Sequence, residues 1–245
     1  VDKGFVGTMK LWQMSSAVQD FVNAIGHKVD VIGFDVCLLG QIETAYQFKD
    51  LAHYVVASEK TEPGDGWDYA AGFKGLSENS NTSPVDVAKS ICNAYCAAYL
   101  PGGSSYQTTS TQAVVSVDSL TQDLIPALNS FSDTLIKYVA NYKSQLKVAK
   151  DQSYAAPGQS GGYDNPDHRD LGHFAKLLIA NQSLPANLRN SAQAMLTAYE
   201  KSVIQHCYSS AENANATGMK IWMPEAVKDA GTVYNYYSKP TQFLK

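Results

Sequence analysis

Cys37 ends the run Val29-Asp30-Val31-Ile32-Gly33-Phe34-Asp35-Val36-Cys37, a mostly apolar, β-branched stretch that reads as a buried strand. Gly40 and a helical pattern carrying Ile42, Ala45 and Tyr46 on one face follow directly. A thiol at the carboxyl end of a strand sits where α/β sheets gather their chemistry. A helix N-terminus just beyond it stabilises the thiolate, which is the nucleophilic form. The same residue also reads as a buried core cysteine, a common use of that side chain. Asp35, two positions earlier, shares the strand face of Cys37, and a carboxylate there needs a cation to meet it. Asp65 lies in the turn after the next apolar run and would overhang the same sheet edge. Two carboxylates beside one nucleophile describe a pocket for arginine or lysine, since arginine pairs bidentately with carboxylate. Ser58 and Trp67 flank that turn and are candidates to line the pocket. The plainer uses are a helix cap for Asp35 and a stabilised Gly-rich turn for Asp65.

A cysteine nucleophile needs a histidine within hydrogen-bond reach, and five are present: His27, His53, His168, His173 and His206. His27 precedes the strand that ends in Cys37, which puts it about 25 Å away at ~3.3 Å per residue. His53 opens the neighbouring strand, at that same wrong edge. His206 falls late in a helical pattern. His168 and His173 lie in or after a polar loop and stay open as bases. Cys92 and Cys96 share one face of a helical pattern and read as core packing, and Cys207 shows no partner. Cys92, Cys96 and His206 match no common zinc spacing. Glu59, Glu62, Asp65 and Asp68 lack the spacing of an EF-hand calcium loop.

These residues need alternating elements to hold them. Ser16-Ala17-Val18-Gln19 fits a capping box, with Val18, Phe21, Val22 and Ile25 at helical spacing and Gly26 as the stop. His53–Ser58 reads as a second strand and Ala113–Val117 as a third. Helices are expected over Pro84–Leu100, over Leu120–Val148, from Asp170 as cap to about Ile179, and over Ala186–Cys207. Residues 151–166 form a Gly/Pro/Ser-rich loop, and Met219–Met223 alternates like a terminal strand. The helix–strand rhythm implies a parallel sheet with right-handed crossovers in a single domain.

Composition bounds the answer. Apolar residues make up 44% of the 245, which fits a globular protein with a large core. A net charge of −4 argues against a general nucleic-acid binder, and no apolar run approaches the ~18 residues of a membrane span. Four cysteines in this length exclude a disulfide scaffold. The sequence opens at Val1 with no signal-peptide pattern, and Val1–Phe5 reads as the interior of a longer protein. Low charge and abundant Ser, Thr, Asn, Gln and Tyr suit an exported protein.

The stretch Gly33-Phe34-Asp35-Val36-Cys37-Leu38-Leu39-Gly40-Gln41-Ile42-Glu43-Thr44-Ala45-Tyr46 resembles the nucleophile segment of the clostripain family. So does Val56-Ala57-Ser58-Glu59 followed by Glu62-Pro63-Gly64-Asp65-Gly66-Trp67-Asp68-Tyr69. These are cysteine endopeptidases of the caspase, legumain and gingipain clan. The specific match covers residues 31 to 69, and segments 170–175 and 217–224 resemble later family segments more weakly. The resemblance implies a caspase-like α/β/α sandwich with a mainly parallel central sheet, spanning 1–245. It implies Cys37 as nucleophile, with Asp35 and Asp65 lining the pocket for a basic residue on the amino side of the cut. It also implies a catalytic His in a His-Gly pair upstream of the Cys, yet residues 1–36 hold only His27, in Gly-His order. Family members cut themselves after a basic residue into a light chain with the His and a heavy chain with the Cys. The expectation is a heavy chain beginning at Val1 by self-cleavage, partnered by a light chain that carries the His. Its substrates would be proteins or peptides with Arg or Lys, and its place outside the cytoplasm, secreted or on the cell surface. No cofactor is required, though calcium enters because some relatives use it. Two rivals stand beside this: a non-catalytic peptide- or glycan-binding relative, in which iodoacetamide ignores Cys37, and a metal-dependent hydrolase using His168 and His173, disabled by chelators.

Overall fold

A computed structural model describes residues 9–106, 110–155 and 167–224. In chain order the elements are α1 Leu11–Ile25, β1 Val29–Gly33, α2 Ile42–Gln47, β2 Ala52–Ala57, α3 Tyr69–Gly72, α4 Lys74–Glu78, α5 Pro84–Tyr99 and β3 Thr111–Ser116. There follow α6 Val117–Ser119, a π turn over Leu120–Leu124, α7 Ile125–Gln152, β4 His168–Asp170, α8 Leu171–Ala180, α9 Ala186–Ser202, β5 Val203–Tyr208 and β6 Lys220–Trp222. Val1–Phe5 and most of the expected 151–166 loop fall outside the described residues.

The main sheet has the order β1-β2-β3-β5, with β4 and β6 forming a separate pair. Alternation along the strands splits the core in two. Val55, Ala57, Ala113 and Val115 face a large cluster with residues of α1, α2 and α7 to α9. Val56 and Val114 face a smaller one made by Trp67 and by Val87, Ile91, Tyr95 and Tyr99 of α5. Helices therefore cover both faces of a mixed α/β sheet, the layered arrangement that buries a two-sided strand.

Several local expectations hold. Gly26 closes α1 in the left-handed conformation at φ 80°. Asp170 caps α8 by accepting the N–H of His173. Others need correction. The sheet is not mainly parallel among the described strands: β1 and β2 run parallel, but β2–β3 and β3–β5 are antiparallel. Helix-then-strand rhythm fixes direction only where a single crossover joins neighbours, and α3, α4 and α5 intervene before β3. The first helix starts at Leu11, with Gln13 reaching back to the N–H of Lys10, so the box at Ser16 does not form. Gln19 bonds Asn23 instead. The helix expected through Cys207 stops at Ser202, because the β-branched pair Val203-Ile204 opens a strand against β3.

Cys207 on β5 is joined to Cys96 on α5 by a disulfide with Cα atoms 6.1 Å apart. The two are 111 residues apart in sequence, and only packing α5 across the sheet brings them together. Cutting so long a loop free should lower stability by about 2–4 kcal/mol. A Cys96→Ala/Cys207→Ala variant is thus expected to unfold at a clearly lower denaturant midpoint, and dithiothreitol should shift the wild type toward it.

Candidate active site

The nucleophile candidate sits in a tight turn rather than at the tip of a strand. β1 ends at Gly33, and the chain turns at residues 36–38 before α2 begins at Ile42. The expectation of a helix N-terminus beside the sulfur is therefore not met. What holds the turn is backbone stitching to the loop after β2. Leu38 N donates to Lys60 O at 2.9 Å and Gly40 N to Ser58 O at 2.7 Å. At Gly40 an added Cβ would lie 2.6 Å from the backbone of Ser58 and Glu59, so only glycine permits this approach. Leu38 adopts φ 67°, a left-handed conformation that costs about 1–2 kcal/mol in a non-glycine residue. Strain of this kind immediately after the cysteine is what a functional site tolerates. From the other side, Lys220 N donates to Gly40 O at 2.9 Å and Gly218 N to Glu59 at 2.7 Å, tying β6 to the same turn.

Cys37 is a free, exposed thiol. Its Sγ accepts the N–H of Glu62 at 3.2 Å and faces the Glu62 carbonyl at 3.8 Å. The Cys37 N–H makes no hydrogen bond within the described residues, which leaves it free to hold an oxyanion.

Asp35 lies past the end of β1, so the shared-face argument does not apply. It accepts Tyr69 Oη at 2.7 Å and Trp67 N at 3.2 Å and shares a hydrogen bond with the Glu62 carboxyl. Burial alone would raise its pKa, but hydrogen bonds from Glu62, Tyr69 and Trp67 outweigh it and hold Asp35 below the ordinary carboxylate range. Glu62 is pushed the other way, to about 9, by burial first and by Asp35 next. The pair is one carboxylate and one carboxylic acid. Gly66, at φ 63°, leaves just enough room, since a Cβ there would stand 2.9 Å from an Asp35 oxygen. Asp65 is exposed at the tip of this loop and makes no hydrogen bond within the described residues, while Tyr99 Oη anchors the tip through Gly66 O at 2.7 Å.

Trp67 is buried, with its ring against Gly33 and its indole N–H on Glu62 at 3.3 Å. Ser58 is fully buried; its hydroxyl meets Thr111 at 3.0 Å and takes the N–H of Lys60 at 3.1 Å. Cys37, Asp35, Asp65 and Trp67 thus converge on one loop pair, and Ser58 lies beneath it. A sequence model of the clostripain family matches residues 6–245. The chain belongs to the clostripain family.

This clostripain-family chain is accordingly a cysteine peptidase, and its architecture agrees with solved structures. It resembles a cysteine protease of B. fragilis with a TM-score of 0.62 at 16% identity, over 96% of this chain and 93% of that one. It resembles a clostripain from Bacteroides thetaiotaomicron ATCC 29148, in complex with the peptide inhibitor BTN-VLTK-AOMK, with a TM-score of 0.56 at 15% identity over 96% of each chain. A secreted C11 cysteine protease from Bacteroides thetaiotaomicron, bound to an irreversible peptide inhibitor, gives a TM-score of 0.65 at 16% identity, over 98% of this chain and 63% of that one. No curated protein matches.

None of the five imidazoles of this clostripain-family chain hydrogen-bonds Cys37. His27 meets the Lys28 carbonyl and His53 meets Asp118. His173 accepts the N–H of Tyr154 at 2.9 Å and caps nothing near the sulfur. Burial, with Lys220 next, holds His168 down to about 4, and burial lowers His206 on β5. The two histidines left open by spacing are therefore engaged elsewhere. The four acids considered for calcium have separate partners or none: Glu59 takes Gly218 N, Glu62 takes Trp67 Nε1 and Gln112 Nε2, Asp68 caps α3, and Asp65 faces solvent. Among the described residues one group of three metal-type ligands converges, Cys92, Cys96 and Cys207. Two of these are spent in the disulfide, and burial pushes the Cys92 thiol up to about 12.

The sequence marks Glu62 only as a calcium candidate and gives no sign of its contact with both the sulfur and Asp35. An acid beside Cys37 in space but 25 positions away in sequence leaves no local signature. The buried pair of Glu59 and Asp170 is likewise invisible there. Burial raises both carboxyls, and Asp170 takes Thr217 N and Oγ1 at 2.6 Å each.

Proposed function

We propose that this chain is the nucleophile-bearing part of an endopeptidase that cuts after arginine or lysine. The observation that carries the reading is the ionised Asp35 on the same loop pair as an exposed thiol, with no basic side chain among the described residues paired to it. A partly buried anion without a cation is costly, and a guanidinium or ammonium from a substrate would supply one. Asp65 at the loop tip adds a second charge, and Trp67 gives the pocket an apolar wall. Cys37 Sγ attacks the scissile carbonyl, and its own N–H receives the developing oxyanion. The peptide part of the inhibitor held by the Bacteroides thetaiotaomicron clostripain reads VLTK and ends in lysine, which agrees with a pocket for a basic residue.

The base comes, on this reading, from a light chain of the same precursor. Two features support it. No imidazole of this chain reaches Cys37, and β1 pairs only with β2 among the described strands, so its outer edge is open to another strand. An exported location is supported by the Cys96–Cys207 disulfide, which persists in oxidising compartments. No helix among the described residues is long and apolar enough to cross a membrane. The reading needs no metal, and calcium is tested by running the same assay with a chelator.

The test is reporter hydrolysis by the chain expressed with its preceding segment. An arginyl amide should be cleaved well and its uncharged isostere, a citrullyl amide, poorly, with iodoacetamide abolishing both. Equal rates on the two reporters remove the acidic pocket, and rates indifferent to iodoacetamide remove the nucleophile.

A further inference from the structure

The residue that touches both halves of this site is Glu62. Its backbone N–H lies 3.2 Å from Cys37 Sγ, and its side chain hydrogen-bonds Asp35. Trp67 Nε1 and Gln112 Nε2 both donate to its Oε1, at 3.3 and 3.2 Å, which fixes the carboxyl in place. Its Oε2 is buried and receives no donor, and neither does Oε1 of Gln112, a side chain that is only 1% exposed. Around the Asp35–Glu62 pair, no lysine or arginine among the described residues pairs with either carboxyl.

Resting on the proposed basic specificity, we propose that Glu62 is a specificity-determining residue: it forms the pocket floor with Asp35 and releases its proton to solvent when a cationic side chain enters. The empty pocket carries one negative charge in the pair because two adjacent carboxylates repel. A guest cation removes that repulsion and meets two carboxylates where an uncharged guest meets one. The pocket therefore gains charge only for the substrate it is built to select.

The pH dependence follows with a definite sign. In the free protein the Glu62 carboxyl is held up near about 9, burial first and Asp35 second. An opposite charge within contact lowers a carboxyl by about 1–3 units. Binding of the cation is therefore strengthened as pH rises from the bound-state value toward the free-state one, and it levels off above. Other groups facing Glu62 do not mimic this. Asp35 is ionised throughout. Tyr69 on α3, by its bond to Asp35, and Tyr95 and Tyr99 on α5, by burial, are all held above their ordinary range. Asp65 sits on the same loop and Cys37 on the facing turn.

The experiment is the ratio of kcat/KM for the arginyl amide to that for the citrullyl amide, measured from pH 6 to 9.5 on the assembled enzyme. Taking the ratio cancels the nucleophile and base. We expect it to rise about tenfold between pH 7 and 9 in the wild type, and to be flat and about tenfold lower at pH 9 in Glu62→Gln, which keeps shape and hydrogen bonding. A wild-type ratio that favours arginine but does not change with pH overturns the role of Glu62 and leaves the acidic pocket standing. A Glu62→Gln ratio that rises like the wild type overturns that role equally. A ratio near one at every pH removes the pocket itself. The wild-type profile decides the matter even if the variant fails to fold.

Discussion

A Cys37→Ala enzyme is expected to lose hydrolysis of an arginyl-amide reporter by about 10⁴-fold or more, the scale seen when a covalent nucleophile is deleted. The same variant should melt where the wild type does. Cys37 is exposed, and its sulfur hydrogen-bonds the Glu62 backbone, so its removal opens no buried cavity; exposed substitutions of this kind change stability within about 0.5 kcal/mol. Cys92→Ala makes the counterpart. That thiol is buried, 3.9 Å from Cys96 Sγ, so its loss should lower the melting temperature and spare the reaction. Residual activity within tenfold of wild type in Cys37→Ala, on correctly folded protein, would refute Cys37 as nucleophile.

Asp35→Asn should cut kcat/KM for the arginyl reporter by about 10- to 100-fold, since hydrogen bonds to charged groups contribute about 1.5–3 kcal/mol. The citrullyl reporter should fall far less. Asparagine keeps an oxygen for Tyr69 Oη and Trp67 N, so the loop holds and the charge alone is lost. Asp65→Ala bears on the same question from a position with no structural duty, because Asp65 bonds nothing within the described residues; its loss should also weigh on basic substrates selectively. Matched losses on both reporters in Asp35→Asn would recast Asp35 as a loop anchor with no part in specificity.

The strained Leu38 and the close-packed Gly40 explain how a short loop holds a sulfur to this precision. Each is locked by a partner from the loop after β2, Lys60 O for Leu38 N and Ser58 O for Gly40 N. The Cys37 turn and the acidic loop are therefore stitched together, and Ser58 supports them from below, through Thr111 and Lys60.

What the sequence determines by itself is whatever short-range spacing encodes. Cys37 beyond an apolar run, the Gly-rich loop bearing Asp65 and Trp67, Gly26 as helix stop and Asp170 as helix cap are all legible, because each depends on neighbours a few positions away. Tertiary structure decides the rest. The antiparallel course of β3 and β5, the Cys96–Cys207 bridge, the burial of Ser58 and the proton on Glu62 all arise from contacts across tens of residues. Desolvation and strand pairing depend on which distant groups exclude water from a side chain, and a linear pattern of residue types does not carry that information.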